Sequence, residues 1–213
     1  MLYAATKVLA FLIVNVWFAF RLRVEGRENI PKEGGFILAC KHQSAWDPIL
    51  VAVSIPRRMG FLGKIEIARV PLLGKFTQAL GMIPVDRSKS AIRSISKAIS
   101  QVAEAVDDGK PMMVFVEGTR VRANRVDEVQ GGVAMMVQSV KQPAVVVPCA
   151  IYWEKGGSLL SKVSISYGEP IKFYCDGMGG TNKDKRYVVT ETLREKINFL
   201  LFSAKKLHKK RRR

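Results

Sequence analysis

Short apolar runs alternate with longer segments of helical periodicity from Val24 onward. Continuous apolar runs of this length are typical of buried strands, and their alternation with helices indicates an α/β domain. No internal repeat or long linker interrupts the pattern, so we expect a single domain. We predict strands at Phe36–Cys40, Met59–Leu62, Met82–Val85, Met112–Val116, Ala144–Tyr152 and Val163–Tyr167.

Helices are predicted where apolar residues recur at spacings of three and four. The clearest is Ser90–Val106. The last helix, Asp184–Leu207, has one apolar face and is followed by a basic tail. Its apolar face consists of Leu193, Ile197, Leu200, Leu201 and Ala204. The other predicted helices are Leu72–Leu80, closed by Gly81, and Val129–Val140.

The amino-terminal segment is different, because residues 2–20 are nearly all apolar and Lys7 is their only charge. About 20 helical residues, at about 1.5 Å each, just cross a hydrocarbon layer about 30 Å thick. Arg21 and Arg23 follow at once and favour a cytoplasmic position for what comes next. We predict an uncleaved membrane-anchoring helix that spans the bilayer or lies in its interface; a buried core helix is the alternative.

Charge indicates an anionic partner, since 35 Lys and Arg outnumber 18 Asp and Glu and give a net charge of +17. Nucleic acid, an acidic bilayer or phosphorylated substrates all fit that charge. The three cysteines, Cys40, Cys149 and Cys175, have no CxxC spacing and indicate neither a disulfide framework nor a zinc site. A reducing, cytoplasmic setting fits them best.

His42 is the candidate general base, because the only other histidine, His208, lies in the basic tail. Asp47 follows five residues later, directly before Pro48. A strand, a loop and a helix start can bring the two side chains together, with Asp47 as the N-cap and Pro48 at the first helical position. An Asp that fixes one ring nitrogen leaves the other free to accept a hydroxyl proton. Alternatively, Asp47 only caps the helix and His42 only fills a loop.

A second candidate site is Glu117-Gly118-Thr119-Arg120, which follows a predicted strand. Glycine lets the backbone approach a ligand, Thr119 offers a hydroxyl, and Arg120 can hold a phosphate through two hydrogen bonds. This is anion-binding chemistry, although a strand-ending turn with a solvated charge pair explains the same residues.

Lys64 and Arg87 flank the predicted helix Leu72–Leu80, and both can reach one phosphate. Read alone, the spaced Gly and Pro residues of this stretch mark turns.

The order of these motifs resembles the 1-acylglycerol-3-phosphate acyltransferase family of glycerolipid acyltransferases. HxxxxD follows a strand, a Lys, Pro, Gly, Gly, Asp-Arg series comes next, EGTR lies about 75 residues beyond His42, and an apolar strand carries Pro148. The likeness extends from about Ile37 to Ile151.

The resemblance implies a mixed, mostly parallel central sheet flanked by helices, with His42 as base and Asp47 as its orienting carboxylate. It implies phosphate and glycerol binding by Arg87 and by Glu117 to Arg120, with Lys64 beside them, and acyl-CoA or acyl-carrier protein as donor. No cofactor or metal is expected. The resemblance also implies that the acceptor is 1-acylglycerol-3-phosphate, which would be acylated at its free sn-2 hydroxyl to give phosphatidic acid.

This sequence departs from the family pattern in ways that concern the choice of lysolipid. The family block commonly reads FPEGTRS, whereas Val116 replaces the proline and Val121 the serine, and Pro84 stands where a larger apolar residue is common. A thiol nucleophile at Cys40 is a weaker alternative to the histidine mechanism.

We therefore divide the chain into an anchor (1–23), a catalytic domain (24–204) and a basic tail (205–213). Near an anionic leaflet each basic residue contributes about 1 kcal/mol, so tail and anchor are expected to hold the enzyme at the cytoplasmic face of a membrane, in a bacterium the inner one. No nucleic acid is expected as a partner. The alternatives to an enzyme are a non-catalytic lipid-binding protein and a nucleic-acid-binding module. The alternative for the tail is a disordered, solubilising end with no specific partner.

Overall fold

A computed structural model of the chain describes residues 21–86, 88, 92–141, 143–158 and 161–210. Residues 1–20 of the predicted anchor (1–23) lie outside the described part, whereas its last residues, Leu22 and Arg23, belong to the first strand of the sheet. Within the described part, no helix is both long enough and apolar enough to cross a bilayer.

Eight strands and six α-helices make up the described fold, together with a single 3-10 turn at Arg27–Asn29. The strands are β1 (Leu22–Glu25), β2 (Ile37–Cys40), β3 (Gly60–Lys64), β4 (Met82–Val85), β5 (Met112–Phe115), β6 (Ala144–Trp153), β7 (Val163–Tyr167) and β8 (Ile171–Phe173). The helices are α1 (Asp47–Ser54), α2 (Ile65–Arg69), α3 (Leu73–Ala79), α4 (Ile92–Asp107), α5 (Gly131–Ser139) and α6 (Asn182–Lys210).

The strands form one mixed sheet in the order β1-β7-β6-β2-β5-β3-β4, with β8 paired to the start of β6. β4, β3, β5, β2 and β6 are parallel to one another, whereas β7 and β8 run antiparallel to β6. The predicted α/β class with a mostly parallel sheet is confirmed.

β2 lies in the middle of this sheet and is buried on both faces, which is why its sequence is continuously apolar. Ile37 and Ala39 face a cluster covered by α4, α5 and α6. Leu38 and Cys40 face a second cluster that includes α1. Packing on both faces therefore fixes the position of β2 and of the residues that follow it.

Most predicted elements are confirmed with small shifts at their ends, and β4 and β7 match their predicted bounds. The predictions missed β1 and β8 and the short helix α2. They also ended the last helix at Leu207, whereas α6 continues to Lys210. β1 (LRVE) and β8 (IKF) contain charged residues and therefore lack a continuous apolar run, and they gain their hydrogen bonds from β7 and β6.

Gly35 sets the packing of the segment that leads into β2. A Cβ atom on Gly35 would lie 1.9 Å from the carbonyl oxygen of Val106, near the end of α4. Neighbouring Gly34 has a positive φ of 72° but nothing within 4 Å of such an atom.

We therefore expect Gly35→Ala to lower the free energy of unfolding by about 3 kcal/mol, because backbone must move to admit the methyl group. The matched variant Gly34→Ala should lose only about 1 kcal/mol, from the left-handed backbone alone. Urea unfolding of the two variants measures both values. Equal losses would mean that the contact with Val106 does not constrain the entry to β2.

Candidate active site

The carboxyl ends of five parallel strands meet at one edge of the sheet, and the candidate residues lie on the segments that leave this edge. His42 follows β2, Lys64 ends β3, and Glu117 follows β5, the neighbour of β2. The parallel topology thus brings together segments that are 75 residues apart, between His42 and Glu117.

His42 and Asp47 form the pair that their spacing predicted. The Nδ1 atom of His42 lies 2.9 Å from Oδ2 of Asp47, which is fully buried, while the histidine side chain is partly exposed. A carboxylate only accepts hydrogen bonds, so Nδ1 carries the proton and Nε2 is left with a free lone pair. The ring also stacks on Phe115, with centroids 3.9 Å apart.

Four donors converge on the Asp47 carboxylate. Oδ2 accepts the main-chain N–H groups of Gln43 and Ser44 at 2.6 and 2.7 Å, in addition to His42. Oδ1 accepts the indole Nε1–H of Trp153 at 2.8 Å. Such bonds compensate a buried charge and hold it in one orientation.

The prediction that Asp47 is the N-cap of the following helix is wrong. Trp46 occupies the N-cap, Asp47 is the first residue of α1, and Pro48 is the second. The carboxylate turns back to the loop because the Gln43 and Ser44 N–H groups lie there, so it fastens the 42–44 segment instead of capping the helix.

Behind His42, the buried Lys41 and Glu117 form an ion pair. Lys41 Nζ donates to both carboxylate oxygens of Glu117, at 2.6 and 2.7 Å, and to the carbonyl of Val121 at 2.8 Å. Glu117 also accepts the main-chain N–H of His42 at 3.2 Å. Burial lowers the pKa of Lys41 and raises that of Glu117, each against the opposing effect of its partner.

This geometry turns Glu117 inward, so its direct contact with a substrate, as the motif suggested, stays a prediction. Its visible interactions tie the loop after β5 to the loop after β2. A hydrogen bond of 2.8 Å from the Val121 N–H to the His42 carbonyl joins the same two loops. The sequence offered no signal for this pairing, because Lys41 looks like an ordinary polar residue after a strand.

A pocket of about 210 Å³ opens beside His42. It is lined by His42 together with Lys64, Gly118, Thr119 and Arg120, so the structure brings these predicted residues around one space. Arg87 lies outside the described residues. The pocket therefore combines a histidine with two cationic side chains and a hydroxyl.

An apolar cavity of about 510 Å³ adjoins this pocket. Leu62, Phe115, Gly118 and Thr119 line both spaces. The remaining walls come mainly from β4, β5, α4 and α5; they include Ile95, and Glu117 also lines this cavity. The sequence did not reveal this cavity, because residues that line a cavity and residues that fill a core have the same apolar pattern.

A cysteine nucleophile is disfavoured by the environment of Cys40. Its side chain is fully buried, and burial raises the pKa of the thiol well above its ordinary value. A thiol of that kind is an inert packing group.

The sequence model of a family described as "Acyltransferase" matches residues 21–152. The 1-acyl-sn-glycerol-3-phosphate acyltransferase of Bacillus subtilis (strain 168) is 28% identical over 183 residues, covering 84% of this chain and 87% of that protein. A lyso-ornithine lipid O-acyltransferase of Brucella abortus (strain 2308) is 29% identical over 114 residues, which cover 54% of this chain and 40% of that protein.

The fold is also similar to the crystal structure of PlsC from Thermotoga maritima, a 1-acyl-sn-glycerophosphate (LPA) acyltransferase. The TM-score is 0.70 at 22% sequence identity, over 95% of this chain and 79% of that one.

The Lys41–Glu117 pair yields a stability test. We expect Lys41→Met to lower the free energy of unfolding by about 3–5 kcal/mol, because it leaves the buried Glu117 carboxylate without its counter-charge. The double variant Lys41→Met/Glu117→Leu removes both charges and should recover most of that loss. Urea unfolding of the two variants and the unmodified chain measures it; a single variant as stable as the unmodified chain would contradict the pairing.

Proposed function

Because the chain belongs to the acyltransferase family, as its motifs predicted, we propose that it transfers a fatty acyl group to the free sn-2 hydroxyl of 1-acylglycerol-3-phosphate. The product is phosphatidic acid, and the donor is a thioester, acyl-CoA or acyl-carrier protein. The substrate assignment is supported by the curated relative from Bacillus subtilis, which carries this activity in its name.

One observation carries the proposal: an Asp-oriented histidine lines a cationic pocket that adjoins an apolar cavity. The reaction needs a base for a hydroxyl proton, a site for a phosphate and room for a fatty chain. The pocket supplies the base from His42 and the positive charge from Lys64 and Arg120.

In the mechanism, Nε2 of His42 removes the proton of the acceptor hydroxyl as its oxygen attacks the thioester carbonyl. Asp47 stabilises the imidazolium that forms, through the Nδ1–H hydrogen bond. Collapse of the tetrahedral adduct forms the ester and expels the thiolate, which takes the proton back from His42. Atoms and charges balance without a covalent enzyme intermediate.

The phosphate of the acceptor is held by Lys64, Arg120 and Arg87, with Thr119 available to hydrogen-bond the glycerol. Arg120 and Thr119 are exposed in the pocket, so a substrate can reach them without a rearrangement of the core. Glu117 serves this site by positioning the Gly118–Arg120 turn. The attraction between these cations and the phosphate also helps to fix the acceptor in one pose.

The apolar cavity takes the acyl chain of the donor. Its walls are the helices α4 and α5 and the strand ends that face them, and it adjoins the base at Phe115. A thioester whose chain enters this cavity has its carbonyl next to His42. The chain is then removed from water, which favours binding in proportion to its buried apolar area.

A second candidate acceptor is another lysolipid, such as a lyso-aminolipid. The similarity to a lyso-ornithine lipid O-acyltransferase supports it, as do the departures at Val116 and Val121 from the common FPEGTRS block. The same base and cavity serve this reaction, and only the contacts with the acceptor head group differ.

We place the enzyme at the cytoplasmic face of a membrane, where the lysolipid acceptor and the phospholipid product reside. The apolar residues 2–20 and the basic residues 205–213 support this location. Their joint effect is attraction to an anionic leaflet.

The proposed base and its orienting groups can be ranked by kinetics. We expect His42→Ala and Asp47→Asn to lower kcat by about 10²–10⁴, because each removes general-base catalysis. Trp153→Phe should lower kcat about tenfold and leave KM unchanged, because it removes one hydrogen bond to the Asp47 carboxylate and keeps the packing. Steady-state acyl transfer from a thioester donor measures these values.

His208→Ala is the matched control, since His208 is the only other histidine, and it should keep full activity. Full acyl transfer by His42→Ala would overturn the mechanism. A Trp153→Phe variant that raises KM alone would mean that the indole does not orient Asp47 for the chemical step.

A panel of lysolipids decides the acceptor. We expect thin-layer chromatography of the products to show acylation of 1-acylglycerol-3-phosphate, with either acyl-CoA or acyl-carrier protein as donor. Success with a lyso-aminolipid alongside failure with 1-acylglycerol-3-phosphate would replace the substrate assignment and keep the reaction. Lipid binding without turnover on any member would favour a non-catalytic protein.

A further inference from the structure

The turn between α2 and α3 exposes apolar side chains at the mouth of the catalytic pocket. Leu72 is 81% exposed, and three apolar neighbours that include Leu73 are more than one-third exposed. The neighbours are Ile67, Val70 and Leu73. Ile67 also lines the pocket that contains His42, so this apolar tip, residues 67–73, borders the site directly.

The exposure of Leu72 is built into the backbone. Leu72 has φ 62° and ψ −52°, and the Leu73 N–H donates to the Pro71 carbonyl at 2.7 Å. This is a γ-turn of the rare type, which is strained for a residue with a side chain. Among the non-glycine residues that the structure describes, Leu72 alone has a positive φ.

Close packing at the base of the tip keeps this conformation. A Cβ atom on Gly74 would lie 2.1 Å from the Ala68 carbonyl oxygen, so α2 and α3 approach as only glycine allows. The Gly74 N–H donates to the Val70 carbonyl, and the Phe76 N–H donates to that of Leu72, both at 2.8 Å. The tip is thus held outward by hydrogen bonds and close packing, with an aliphatic side chain at its apex.

Basic residues lie within the tip and on either side of it along the chain. Lys64, Arg69 and Lys75 are exposed within one short segment, against the single acid Glu66. None of the three forms a salt bridge with another residue of the described ranges. An apolar apex with basic neighbours matches an anionic bilayer, in which aliphatic groups enter the acyl region and cations remain at the head groups.

We propose that the 67–73 tip inserts into the surface of an anionic bilayer and places the mouth of the catalytic pocket against the lipid. This inference rests on the proposed function, because it assigns the surface through which the lipid acceptor enters. A second copy of this chain would bring its own net charge of +17 against the same cations.

Site-specific fluorescence tests the tip in the full-length chain. Cys40, Cys149 and Cys175 are buried, so a thiol-reactive, environment-sensitive fluorophore labels an introduced Leu72→Cys selectively. With vesicles of equal parts phosphatidylcholine and phosphatidylglycerol, we expect its emission to shift to the blue. Tyr174→Cys is the matched control, since Tyr174 is 56% exposed and follows β8 near the start of β6, at the opposite edge of the sheet.

The label at position 174 should show no shift. An unchanged emission at position 72, or a shift there that appears without vesicles as protein concentration rises, would overturn the proposal; the second result would indicate a contact between copies. The fluorescence readout needs no turnover, so it tests membrane insertion independently of the acyl-transfer assay that tests the proposed function.

Kinetics supply the functional test. Leu72→Asn removes the aliphatic side chain, and asparagine tolerates a positive φ better than most other residues that have a side chain. We expect it to lower the rate on vesicle-embedded lysolipid about tenfold, the equivalent of one leucine withdrawn from lipid. The rate on a water-soluble, short-chain lysolipid should stay unchanged. Equal losses on the two substrates would assign Leu72 a structural role and reject the insertion.

Discussion

The buried carboxylate of Asp47 is the interaction on which the catalytic edge depends. It receives three hydrogen bonds from residues 42–44 and one from Trp153, so the loop after β2 closes around a single anion. A carboxylate in this position is tolerable only because every bond is short and the donors are fixed. The same arrangement sets the tautomer of His42, and it thus links the stability of the loop to the chemistry we assign to it.

Much of the fold was predictable because its strands are buried on both faces. β2, β5 and β6 are continuously apolar, and the helices α4 and α6 repeat their apolar residues at helical spacing. β1 and β8 were missed because charged residues interrupt their apolar residues, and β1 depends on a partner strand far away in sequence. The last turn of α6 was missed because lysines rarely mark a buried face, yet they are compatible with a helix.

The candidate site divides in the same way. The His42–Asp47 pairing and the grouping of Lys64 with Gly118–Arg120 followed from motif order and from strand ends that meet at one edge. Trp153 and Lys41 could not be foreseen, because their roles come from strand register, which places them beside Asp47 and Glu117. The cavity was equally hidden, since Val133 or Ile95 would look the same in a filled core.

The cross-links between the loops after β2 and β5 bear on how the enzyme meets its substrates. Lys41, Glu117, Val121 and the main chain of His42 form one hydrogen-bonded unit, which holds the two loops to each other at several points. Little entropy then remains to be lost there when a ligand arrives. The site is therefore preorganised where these two loops meet the main chain of His42, before any substrate binds.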